Sequence, residues 1–132
     1  MNIYCLEDFK LAFDKLKTKK SYRTIEHDLI SYFFNKNINQ LLSGTRLNQS
    51  DTAPYIKKRI KGSGGFRVYF LILIKNENLY LMFVHPKTGT LGGRNITDKS
   101  KTALYKKVYQ AIENDDLFEL IVENNELVFK EI

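Results

Sequence analysis

Tyr55-Ile-Lys-Lys-Arg-Ile-Lys-Gly-Ser-Gly-Gly-Phe-Arg-Val-Tyr-Phe-Leu-Ile-Leu-Ile74 is the stretch of sequence that decides the fold. Residues 55–61 predict a two-faced strand, because side chains alternate between the two faces of a sheet. The glycines at 62, 64 and 65 predict a turn. Residues 66–74 are apolar at almost every position, which predicts a central strand with both faces covered.

The meander extends outward from this stretch on both sides. A second turn at residues 75–78 leads to a third strand at 79–84, which Pro86 ends because proline cannot donate to a ladder. We predict a single α+β domain over residues 1–132, a small antiparallel meander packed with N-terminal helices and one C-terminal helix. Residues 1–52 are mainly helical in this prediction, and residues 53–132 form the sheet, a helix and an acidic C-terminal hairpin.

Helical spacing supports the flanking elements. Phe9, Ala12, Phe13 and Leu16 share one helix face, and a short strand precedes them at residues 2–6. Ser21 is the predicted cap of a second helix, and Asp98 that of the C-terminal helix. The final hairpin spans residues 117–122 and 127–132.

Composition sets limits on the protein class. The chain has 132 residues, of which 43% are apolar and 27% charged, as expected for a globular protein. Cys5 is the one cysteine, so an internal disulfide is excluded and a zinc site is not expected. We expect no cofactor, no membrane segment, no signal peptide and a cytoplasmic location.

The positive charge is concentrated in the part of the chain that contains the predicted meander. Residues 53–107 hold twelve Lys and Arg against two acids, a net charge of +10, whereas residues 108–132 carry −6. A fixed basic surface favours a polyanion as partner, most commonly a nucleic acid. The alternative is a solvated sheet face, which is common for any single lysine.

Two groups of residues are candidates for chemistry. Lys57 and Arg59 share a strand face, and we expect Arg67 and Tyr69 of the next strand to join them. Cations gathered around one phosphate stabilise the charge of a phosphoryl-transfer transition state, and an aromatic ring can stack on a base. His85 is a candidate general acid or base, since a histidine side chain can exchange a proton near neutral pH. The alternative is a histidine at the end of a strand that is hydrogen-bonded to the following loop.

Further basic residues extend the predicted nucleic-acid surface. A glycine-rich loop at residues 88–95 precedes a helix, so its amides are candidates for holding a phosphate. The predicted nucleic-acid contacts beyond the candidate catalytic set are Lys58, Lys61, Tyr69, Lys87 and Arg94.

The segment from residue 55 to 87 resembles the RelE/ParE superfamily of bacterial toxins, in its mRNA interferase branch. The resemblance rests on Lys57-Lys-Arg-Ile-Lys61, the glycine turn and Gly65-Phe-Arg-Val-Tyr69. It implies a RelE-like fold and a ribosome-dependent endoribonuclease, the toxin component of a type II toxin–antitoxin system. It also implies metal-free cleavage of mRNA by 2′-hydroxyl attack, and neutralisation by a cognate antitoxin.

By the same resemblance Lys57 and Arg59 correspond to the basic strand residues, Arg67 to the phosphate-contacting arginine, and His85 or Lys87 to a further residue at the end of the next strand. The active set that we predict is Lys57, Arg59, Arg67 and His85. The chain departs from the family in its longer N-terminal helical part, its expanded loop after His85 and its acidic C-terminal hairpin. Tyr105 and Tyr109 remain alternatives for the C-terminal aromatic residue that many members use. A non-catalytic nucleic-acid-binding or protein-interaction module of the same fold is the second reading, and the hairpin is a candidate guard over the basic face.

Overall fold

The computed structural model describes residues 1–61, 65–86 and 96–132 of the chain. They form a mixed α+β fold, as predicted. Besides a 3-10 turn at Lys20–Tyr22, the elements in chain order are β1 (Asn2–Cys5), α1 (Glu7–Lys17), α2 (Ile25–Phe33), α3 (Ile38–Leu41), β2 (Thr45–Arg46), β3 (Tyr55–Ile60), β4 (Phe66–Leu73), β5 (Asn78–Pro86), α4 (Asp98–Asn114), β6 (Phe118–Glu123) and β7 (Glu126–Glu131).

The strands in the described residues belong to one seven-stranded sheet, in the order β2-β3-β4-β5-β1-β6-β7. The predicted antiparallel meander is β3-β4-β5, and β1 extends it by pairing with β5 in parallel. The sheet is therefore larger than the small meander that the sequence predicted. In β1 the alternate residues Ile3 and Cys5 are both buried, as in a strand that lies inside a sheet with one face against the core.

Several element boundaries differ from the sequence prediction. Ser21 lies in the 3-10 turn, and α2 begins at Ile25 after Thr24. Thr97, not Asp98, caps α4, because its Oγ1 accepts a hydrogen bond from the Ser100 amide at 3.1 Å. Strand β2 was not predicted, since its two residues are too short for a sequence pattern.

The acidic hairpin lies far from the basic strand. Strands β6 and β7 join the sheet through β1, at the opposite edge from β2 and β3. Leu120 and Leu127 are buried there in the common core. The hairpin is thus a part of the sheet, and the prediction that it guards the basic face is wrong.

Helices cover both faces of the sheet. On one face, α1 and α2 bury Phe9, Phe13 and Phe33 in the same cluster as Phe70 of β4. On the other face, α4 buries Leu104, Val108 and Ala111 with Leu71 and Met82. Strand β4 is therefore covered on both sides, as its continuous apolar sequence predicted.

Gly44 allows the chain to pass close to β3 before β2 begins. Its φ is +124°, and a Cβ there would lie 2.8 Å from Ile56 Cγ2 and 2.8 Å from the Lys57 carbonyl oxygen. We expect Gly44→Ala to lower the free energy of unfolding by about 1–3 kcal/mol, because both the backbone and the contact are strained. Urea denaturation measures this, with Asn39→Ala on the exposed side of α3 as control; equal stability of the two variants would contradict it.

Candidate nucleic-acid interface

The cross-strand register brings three of the predicted residues into one row. Arg59 of β3 lies opposite Arg67 of β4, and Arg67 lies opposite His85 of β5. Directly opposite residues in an antiparallel pair share a sheet face, with Cβ atoms about 5 Å apart. We call Arg59, Arg67 and His85 the basic row.

A bulge in β5 decides on which face His85 lies. Tyr69 pairs with Phe83, but Phe70 pairs with Leu81, so Met82 is an extra residue. Continuing the pairing of Phe70 with Leu81 without the bulge would place Val84 opposite Arg67 and turn His85 to the other face. The extra residue therefore re-aims the histidine, as bulges near functional sites often do.

Lys57 lies in the next row of the same face, opposite Tyr69. Burial lowers the pKa of Lys57, and the positive charges of Lys101 and Arg67 lower it further. Lys101 and Arg67 therefore each lie close enough to Lys57 to repel its charge. A bound anion would relieve this repulsion, so the arrangement is compatible with an anion site.

Lys101 of α4 is a site residue that the sequence prediction missed. Its side chain is only 20% exposed, and its ammonium lies 3.4 Å from the Asp98 carboxylate. The signal was present in the helix, because Lys101 precedes Leu104 by three residues and Val108 by seven. This spacing places Lys101 on the buried stripe that faces the sheet.

His85 is half-buried, and its ring packs against Phe83 of the same strand. The ring centroids are 6.0 Å apart and the ring planes differ by 26°. Arg67 is also half-buried, whereas Arg59 is exposed. The basic row thus runs from the solvent-exposed part of β3 toward a more enclosed position on β5.

Tyr69 does not fit the stacking role that we predicted for it. Its side chain is fully buried in the cluster beneath α4. Its hydroxyl lies near the Ile96 main chain without a well-formed hydrogen bond to any described residue, and burial raises its pKa. The ring packs in the core, beside Lys57 on the neighbouring strand.

Of the other predicted nucleic-acid contacts, Lys58 and Lys61 belong to the described residues. Lys58 lies on the face of β3 opposite to the basic row, where its ammonium donates to Ser43 Oγ at 3.0 Å. Lys61 is exposed just beyond the end of β3. Lys87, Arg94 and the glycine-rich loop lie outside the described residues.

Tyr105 is closer to the basic surface than Tyr109. Its ring stacks on Tyr55 at 5.4 Å between centroids, and the Tyr55 hydroxyl donates to the Lys101 carbonyl at 3.0 Å. Tyr105 and Lys101 line one side of a cavity of about 420 Å³. Tyr109 packs edge-on against Tyr105, and burial raises its pKa to about 12.

Within residues 1–61, 65–86 and 96–132, no three His, Cys, Asp or Glu side chains gather as ligands of a metal ion would. None of the helices described is both long and apolar enough to span a bilayer.

Comparison of the chain with protein-family models and with curated proteins finds no match. The candidate site is therefore defined by its own geometry.

Proposed function

We propose that the protein is an RNA-cleaving toxin of the RelE-like type, acting on ribosome-bound mRNA. The observation that carries the proposal is the register of the meander, which puts Arg59, Arg67 and His85 in one row. Lys57 and Lys101 add two cations beside that row. Such a cluster suits the extra negative charge that a phosphodiester acquires during cleavage.

The proposed chemistry is an internal transfer within the RNA. A ribose 2′-oxygen attacks the adjacent phosphorus, and the bond to the 5′-oxygen of the next nucleotide breaks. The products carry a 2′,3′-cyclic phosphate and a 5′-hydroxyl. Arg67, Arg59 and Lys57 stabilise the charge on the non-bridging oxygens in this scheme, and His85 transfers a proton to or from a reacting oxygen.

The proposal includes a regulator and a location. The RelE-like resemblance implies a cognate antitoxin that binds the toxin, and action on ribosomes requires the cytoplasm. The basic surface is compatible with an acidic segment in that antitoxin. Co-expression with the antitoxin should restore growth.

One observation favours a second candidate, a non-catalytic nucleic-acid-binding module. The aromatic residue expected to stack on a base, Tyr69, is buried and presents no exposed ring to a base. Cations alone are sufficient for salt-dependent binding to phosphates without chemistry. This reading predicts binding without cleavage.

Induction in bacteria tests the proposal. We expect the wild-type chain to stop growth and fragment messages, and the double variant Lys57→Gln/Arg59→Gln to do neither. Lys15→Gln/Arg23→Gln removes the same charge from exposed positions on α1 and before α2, and it should remain toxic. Growth that is unaffected by the wild-type chain, or arrested equally by the Lys57/Arg59 variant, would contradict the proposal.

The lowered pKa of Lys57 predicts an unusual pH dependence of binding. Because its pKa lies below that of an ordinary lysine, the ammonium loses its proton earlier as the pH rises. Affinity for an adenine-rich 2′-O-methyl RNA should therefore fall between neutral pH and about pH 10. Lys57→Arg should hold its affinity further into this range, because a guanidinium stays protonated.

Fluorescence anisotropy at constant salt measures this dependence. Lys106→Arg on the exposed side of α4 is the control and should follow the wild-type curve. Parallel curves for wild type and Lys57→Arg would show that Lys57 does not contact the RNA.

A further inference from the structure

A basic cavity lies on the face of β3 opposite to the basic row. It has a volume of about 370 Å³ and lies between β3 and α2. Its lining includes one aromatic side chain, four cations and one carboxylate: Tyr32, Lys36, Lys58, Arg59, Lys61 and Asp28. We call it the Tyr32 cavity.

The cations of the Tyr32 cavity have no carboxylate partners in the described part of the chain. Lys36, Lys58, Arg59 and Lys61 take part in none of the ion pairs there. Asp28 also lines the cavity, and it accepts a hydrogen bond from the Thr24 hydroxyl at 3.0 Å. The lining therefore carries an excess of positive charge.

Two of the ammonium groups lie against the same aromatic ring. The Lys36 nitrogen is 4.4 Å from the Tyr32 ring centroid, and the Lys58 nitrogen is 5.9 Å from it. The ring face attracts each cation, but the two cations repel each other. The Lys58 ammonium also donates a hydrogen bond to Ser43 Oγ, which further restrains its position.

The Tyr32 ring is itself fixed in position. It packs edge-on against Phe33, with centroids 4.9 Å apart. Its hydroxyl is buried and has no hydrogen-bond partner within the described residues. Packing thus fixes the ring against which the Lys36 and Lys58 ammonium groups lie.

The edge of the sheet connects this cavity to the basic row. In the described residues β2 pairs only with Ile56 and Lys57, so β3 has an open edge beyond Lys57. Arg59 lies on that open part. It lines the Tyr32 cavity, yet its register partner on β4 is Arg67. A flexible polyanion can therefore pass from one face to the other around Arg59.

We propose that the Tyr32 cavity binds a phosphate of the same single-stranded RNA, outside the linkage that is cleaved. This inference rests on the proposed function for the identity of the RNA. Lysines bind phosphates as point charges, and the cavity is larger than one phosphate group, which leaves room for part of the sugar. The RNA wraps the edge of the sheet at Arg59.

The test is binding of a short single-stranded 2′-O-methyl RNA, measured by fluorescence anisotropy over a series of salt concentrations. We expect Lys36→Gln/Lys58→Gln to weaken binding about tenfold and to reduce the slope of log affinity against log salt by about 1–2. The matched control Lys15→Gln/Lys19→Gln removes the same charge from exposed positions and should change affinity less than about twofold. An equal loss in the control would overturn the proposal.

A second variant keeps the test decisive if the double variant does not fold. Lys61 is exposed, so Lys61→Gln leaves the packing intact, and it should weaken RNA binding about threefold. Unchanged affinity in Lys61→Gln, when the double variant is unfolded, would overturn the proposal. A polyglutamate peptide of equal charge serves as the competing anion, and equal dependence of its binding on Lys61 would also overturn the assignment to RNA.

The outcomes separate this inference from the proposed function. If wild type binds RNA through the cavity but cleaves no message, the nuclease proposal fails and the cavity stands. If wild type cleaves message and the cavity variants bind as wild type does, the cavity proposal fails and the nuclease stands.

Discussion

Arg67→Ala is expected to reduce cleavage of ribosome-bound mRNA by about 100- to 1,000-fold. Arg67 is the central member of the basic row, with Arg59 on one side and His85 on the other. Its positive charge also repels that of Lys57 and thereby helps to lower the pKa of Lys57. Removing this guanidinium takes away charge where the transition state is proposed to need it, and the cost exceeds that of a surface cation.

The measurement is the rate of cleavage in a purified translation reaction, with primer extension to locate the broken linkage. Arg23→Ala removes an exposed arginine before α2 and is the control, which should cleave at the wild-type rate. Thermal unfolding of both variants shows whether the fold is intact. A folded Arg67→Ala protein that cleaves as fast as wild type would remove Arg67 from the proposed site.

Phe70→Ala is expected to lower the free energy of unfolding by about 3–5 kcal/mol. Phe70 is fully buried in β4, and its ring packs edge-on against Phe33 of α2 at 5.2 Å between centroids. The substitution leaves a cavity where the N-terminal helices meet the sheet. Since domains are stable by only about 5–15 kcal/mol, this loss is a large part of the total.

Urea denaturation measures the effect, and Leu11→Ala provides the comparison. Leu11 lies on α1 but is 58% exposed, so its truncation should cost less than about 0.5 kcal/mol. Similar losses of unfolding free energy in the two variants would contradict a core on the face of β4 toward α1 and α2.

The meander could be predicted because its signals are local. Alternating side chains at residues 55–61 and the apolar run after Gly65 identify strands without any knowledge of distant contacts. The two-residue turn Asn124-Asn125, with φ of 54° and 63°, likewise follows from residues that tolerate this conformation. These elements were found close to their observed positions.

The arrangement of the sheet could not be predicted in the same way. Strand β1 pairs in parallel with β5, some seventy-five residues further along the chain, and no local pattern encodes that partner. The hairpin was therefore predicted as a separate element, although Leu120 and Leu127 share the main core.

The candidate site shows the same division. The alternation of side chains along a strand predicted that Lys57 and Arg59 share a face. The face on which His85 lies depends on the bulge at Met82, and no sequence pattern predicts that bulge. The burial of Tyr69 depends on α4 and Ile96 packing over the sheet. Lys101 was predictable from its helical spacing, because it lies three residues before Leu104 and seven before Val108 on the buried stripe of α4.

The central claim is that a phosphodiester lies against the basic row and is cleaved by its own neighbouring 2′-hydroxyl. The most direct test is a message with a single 2′-deoxy nucleotide immediately 5′ of the mapped cleavage site, translated in the presence of the wild-type protein. We predict that cleavage at that site disappears, while the unsubstituted message yields a 5′-hydroxyl on the downstream fragment. Cleavage of the deoxy-substituted message at the same linkage would contradict the account.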